Sequence, residues 1–119
     1  MFYCFTQNNS GGSFDRAHHL GISRHVVVEG ASLREIVERA KDMGIYFNGC
    51  DTRQDCPCCG DRWYEPWETD STDTVPTING QDVSNGCYSS EYRRWVDDGP
   101  EGYIHYLDGR IVPVEHISK

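Results

Sequence analysis

The sequence predicts an α+β fold: a small, mostly antiparallel sheet with one main helix on a face and a Cys-rich irregular lobe beside it. Three stretches predict it. Residues 32–43 carry one apolar stripe at helical spacing, His25-Val26-Val27-Val28-Glu29 is a β-branched run, and residues 103–114 read as a hairpin. At 119 residues the chain has room for one domain and no second core.

Phe2 to Gln7 is predicted as the first strand, followed by a turn-rich loop, Gln7-Asn8-Asn9-Ser10-Gly11-Gly12-Ser13. The His25–Glu29 run is expected to be buried on both faces. Ser32-Leu33-Arg34-Glu35 forms a capping box, and Leu33, Ile36, Val37, Ala40 and Met43 follow on one helical face. Gly44 stops that helix, and Ile45-Tyr46-Phe47 reads as a short strand completing a β–α–β unit. After a loop with one extended piece around Val75 to Ile78, a weaker helix is predicted from Ser84-Asn85-Gly86. Tyr88, Tyr92, Trp95 and Val96 would be its stripe. In the final hairpin Asp108-Gly109 predicts a type I′ turn, and Pro113 predicts an edge strand.

Apolar residues make up 37% of the chain and aromatics 12%, which predicts a small, ring-heavy core that a metal staple would help. The net charge is −8, and eight acids against two bases fall in residues 48–82. General nucleic-acid binding is disfavoured, because phosphate neutralisation needs a basic face. An anionic small ligand would require a few arginines focused locally. The chain opens Met1-Phe2-Tyr3-Cys4 without a leader pattern, and no run reaches membrane-spanning length. A soluble protein in a reducing compartment is expected, with its six cysteines as thiols, core residues or metal ligands rather than a disulfide framework. The sequence leaves a homo-oligomer open.

Four cysteines crowd one short stretch: Cys50, Cys56, Cys58 and Cys59, with Cys56-Pro57-Cys58-Cys59-Gly60 in the form of a zinc knuckle. A structural zinc would take Cys56, Cys59 and Cys50, and then Cys58, Cys87, His105 or one of His18-His19. The competing assignment is that these cysteines fill a tight turn. A cysteine nucleophile is disfavoured, since the surrounding acids raise thiol pKa. Next comes Arg62-Trp63-Tyr64-x-x-Trp67. A guanidinium beside rings suits a nucleobase with its phosphate, or a protein hot spot. The candidate ligand contacts are Asn8, Asn9, Arg62, Trp63 and Trp67. The competing assignment packs Trp63 on the helix and pairs Arg62 with Asp61 or Asp55.

Gln7-Asn8-Asn9-Ser10-Gly11-Gly12, Gly44-Ile45-Tyr46-Phe47-Asn48-Gly49-Cys50 and Asp55-Cys56-Pro57-Cys58-Cys59-Gly60-Asp61-Arg62-Trp63 together resemble a family of short, uncharacterised proteins encoded by bacteriophages. The resemblance implies a setting, the host bacterial cytoplasm, and carries no functional residues. Three functions are consistent with it. One is a non-catalytic accessory protein that sequesters a nucleotide-like host immune signal, acting against host defence. Another is an inhibitor that binds a host protein through an acidic, aromatic surface. The third, a small metal- or thiol-dependent enzyme, lacks a catalytic constellation in the sequence.

Overall fold

Strand β1 (Phe2–Thr6) sets the two faces of the molecule. Tyr3 and Phe5 point to one side, Phe2 and Cys4 to the other, and each pair enters a different core. In the computed structural model, which describes residues 1–8, 14, 16–55, 60–90 and 100–118, β1 pairs antiparallel with β2 (His25–Glu29), Phe2 opposite Glu29 and Thr6 opposite His25. As predicted, β2 is buried on both faces. Val26 and Val28 lie in the helix-side core and Val27 in the other.

Helix α1 (Leu33–Asp42) starts as its capping residue dictates. Ser32 is extended, and its Oγ accepts from the Glu35 N–H at 3.2 Å. Gly44, at φ +111°, ends it. The predicted stripe faces the sheet: Ile36, Val37 and Ala40 are buried against Phe5, Val26 and Val28. Ile36 is fully buried, so Ile36→Ala should cost ~2–5 kcal/mol in urea unfolding. A loss below about 0.5 kcal/mol, the size of a surface effect, would show that the stripe is not core.

The five-stranded sheet runs β1-β2-β6-β7-β5, with β5 (Cys87–Ser90), β6 (Gly102–His105) and β7 (Ile111–Ser118). A two-stranded hairpin, β3 (Thr77–Ile78) and β4 (Gln81–Asp82), turns at Asn79 and Gly80, whose φ values of +50° and +82° suit a type I′ turn. It brings Ile78 onto the face opposite α1, over Val27, Ile104 and Val114. Three of the five ladders among the described residues are antiparallel; β2–β6 and β5–β7 are parallel.

Several expectations need correction. Ile45-Tyr46-Phe47 is not a strand. Ile45 donates to Ala40 O and plugs the helix-side core, so the parallel neighbour of β2 is β6. Residues 87–90 form β5 rather than a helix, because Cys87, Tyr88, Ser89 and Ser90 pair in parallel with Glu115, His116, Ile117 and Ser118 of β7. Tyr92, Trp95 and Val96 of that predicted stripe lie outside the described residues. In the final hairpin Gly109 (φ +96°) has positive φ and Asp108 does not. Tyr106 N donates to Arg110 O and Gly109 N to Tyr106 O, a three-residue loop with a left-handed glycine instead of a type I′ turn. Pro113 sits in an inner strand. It is tolerated because its nitrogen faces the side of β7 that β5 joins only from Glu115 onward.

Candidate functional site

The carboxylate of Asp55 organises the segment that the sequence singled out. Its side chain is fully buried and takes three partners. Tyr46 OH donates to Oδ1 at 2.8 Å, the Arg62 backbone N–H donates to Oδ2 at 2.8 Å, and Arg62 Nε lies 3.6 Å from Oδ1. Arg62 Nη1 also donates to Gln7 Oε1 at 3.3 Å, and Gln7 Nε2 to Ser23 O at 2.7 Å. A Cβ at Gly49 would stand 1.9 Å from Asp55 Oδ2, so the carboxylate fits only against glycine. Asp61 holds the neighbouring turn by accepting from Cys50 N at 3.0 Å.

These bonds place the predicted ligand contacts. Arg62 is 8% exposed and Trp63 2%, the latter in the core with Ile36 and Ile45. Both are internal, as the competing assignment expected for them. Asn8 donates from its backbone to Arg62 O at 2.8 Å and from Nδ2 to Asp61 O at 3.2 Å. Asn9 lies outside the described residues. Trp67 is on the surface, 79% exposed, with Tyr64 58% exposed beside it.

Trp67 belongs to a feature that sequence reasoning missed. The even residues of β1 point their backbone groups away from β2. Phe2 uses its outward groups to exchange two bonds with Asp73, at 2.7 and 2.9 Å, and Asn8 uses its outward N–H on Arg62. Residues 62–73 are thereby clamped to the same sheet edge at both ends and arch outward between. A turn within the arch is closed by Trp67 N to Asp70 Oδ2 and Asp70 N to Trp67 O, both 2.9 Å. Burial first, then the charge of Asp70, raises the pKa of the Tyr3 phenol. Glu65, Pro66 and Glu68 face Leu33, Val37, Arg34 and Glu38 of α1 across a groove of about 400 Å3. The arch from residue 63 to 73 contains four acids and no base.

The predicted metal ligands fall mostly beyond view: Cys56, Cys58 and Cys59 lie outside the described residues. Cys50 is half-buried. Burial, a hydrogen bond to Asp61, and the charges of Asp61, Asp55 and Asp51 push its thiol up to about 11. Among the described residues no group of three or more His, Cys, Asp or Glu is placed to hold a metal. Cys87 sits on β5, and His105 is buried on β6 with Nε2 donating to Gly21 O at 2.7 Å. His18 and His19 are exposed on a single 3-10 turn, as expected of a loop pair.

Among the described residues no helix is long and apolar enough to cross a membrane. Neither the curated proteins nor the solved structures yield a match to this chain. A family model described as a domain of unknown function, DUF7296, matches residues 1–118, and the chain belongs to that family.

Proposed function

We propose that this protein is a non-catalytic binding module that docks on a basic surface of a partner protein through the arch at residues 62–73. The observation that carries this reading is an exposed tryptophan on a loop clamped at both ends. A 79% exposed Trp67 beside Tyr64 leaves a large apolar area in water, which a monomer gains nothing by exposing. The clamps hold the loop in place before binding, so less ordering entropy is lost when the rings are covered. Glu65, Glu68, Asp70 and Asp73 lie on the same stretch of chain as the rings and suit a basic partner. In the bacteriophage setting that the motif resemblance implies, the partner is a host protein and the docking is inhibitory. Sequestration of a nucleotide-like signal by Arg62 and Trp63 draws no support from their burial.

Trp67→Ala should keep the melting temperature of the wild type, because the side chain is outside both cores. Its affinity for a partner captured with the wild-type protein from host cells should fall by ~2 kcal/mol or more, the size of a central aromatic anchor. Unchanged affinity in both Trp67→Ala and Tyr64→Ala would remove the arch from the interface.

A further inference from the structure

We infer a second site, for a small phosphomonoester carrying a planar ring, in the cleft between the end of α1 and the β6–β7 turn. The cleft measures about 310 Å3 and is lined by Arg39, Asp42, Met43, His105, Tyr106 and Arg110 among others. Arg39 is half-buried there. Its guanidinium donates to the carbonyl of Glu29 and, at 3.0 Å, to that of Tyr106. These neutral acceptors fix its direction and leave its charge uncompensated. No carboxylate pairs with Arg39 among the described residues, although Glu35 lies one turn away on the same helix. An oriented arginine with unspent donors is suited to a phosphate oxygen.

Arg110 supplies the other half. Its guanidinium lies 4.3 Å from the centre of the Tyr106 ring, and Nε is 2.8 Å from Asp108 Oδ2. That contact makes a flat cationic platform at the mouth of the cleft, on which a heteroaromatic ring can lie. Asp42 opposes an anion, but it is exposed and screened by water. Arg110 shares its charge with Asp108, so Arg39 is the cation that the cleft offers to an anion, and Arg110 contributes its flat face. The volume is at the low end for ligand sites, which favours a mononucleotide-sized molecule over a dinucleotide. The site shares no element with the arch, so it stands or falls independently of protein docking.

The test is calorimetric titration of the full chain with AMP, and separately with inorganic phosphate and with adenosine. AMP should bind more tightly than either part. Arg110→Ala, at an exposed turn, should weaken AMP by about tenfold or more, as should Arg39→Lys, which keeps charge but loses the two-pronged donor. No AMP binding, adenosine binding as tightly as AMP, phosphate binding as tightly as AMP, or an unaltered affinity in Arg110→Ala would each overturn the proposal. A melt of Arg39→Lys identifies misfolding, in which case Arg110→Ala decides alone.

Discussion

Asp55→Ala is expected to destabilise the protein by ~3–5 kcal/mol. The reason is what it leaves behind. Arg62 would keep a charge that is about nine-tenths buried and lose the carboxylate beside its Nε. Removing one member of a buried charged pair costs far more than the pair contributes over an apolar replacement. Two further groups lose their acceptor, the Tyr46 hydroxyl and the Arg62 backbone N–H. Arg62→Ala should cost a similar amount, since Asp55 is the more deeply buried partner. The double variant Asp55→Leu with Arg62→Met should be milder than the sum, because it removes both charges together. Urea unfolding at neutral pH reads all three. Single-variant losses below about 1 kcal/mol would mean that the pair is not a fixed internal contact, and would return Arg62 to the list of ligand-binding groups.

The second large effect is a loss of stability in mild acid, through His25. Its ring is 1% exposed, Nδ1 lies 2.9 Å from Thr6 Oγ1, and Nε2 is buried without a partner. Burial first, and then the charges of Arg24 and Arg16, lower its pKa from 6.5 to about 3. The native imidazole is therefore neutral where the unfolded one takes a proton. The unfolded state binds more protons below pH 6.5, so stability falls as the pH drops from there toward 3 and levels off below it. The slope is about 1.4 kcal/mol per pH unit, or ~2 kcal/mol between pH 6.5 and 5. His25→Gln removes the titrating group. Wild type should lose ~2 kcal/mol more than this variant between pH 7 and pH 5 in parallel urea titrations. Equal losses would show that His25 is not held neutral.

The elements legible in the sequence are those whose signals are local. Ser32 and Glu35 are three residues apart and announce α1 by a bond they make with each other. The Val26-Val27-Val28 run declares burial on both faces without reference to any other segment. Non-local pairing defeated the same reasoning. Ile45-Tyr46-Phe47 has strand composition, yet Asn48 at φ +58° and the bond from Ile45 to Ala40 keep it as a core plug after the helix. Tyr88 fits a helical stripe, and only β7, some thirty residues on, makes it a strand residue. At the candidate site the sequence offers Arg62 two carboxylates, Asp61 and Asp55, and Gly49, whose missing side chain makes the space for Asp55, lies outside any motif that links them. The arch was invisible because its clamps join residues 2 and 8 to residues 73 and 62 through backbone atoms, which carry no sequence signature.

The parallel ladder between β2 and β6 has a consequence for how the chain reaches its native state. Residues 30–101 lie between these neighbours, so the centre of the sheet closes a very long loop. Such a closure costs chain entropy before any contact repays it, and proteins dominated by distant pairings fold slowly. During synthesis β1, β2 and α1 can assemble early, but they wait with one flank of β2 unpaired until β6 emerges. That flank is three consecutive valines beside a histidine, a sticky edge while it lasts. The interval before β6 arrives is when this chain is most exposed to aggregation and to chaperone capture.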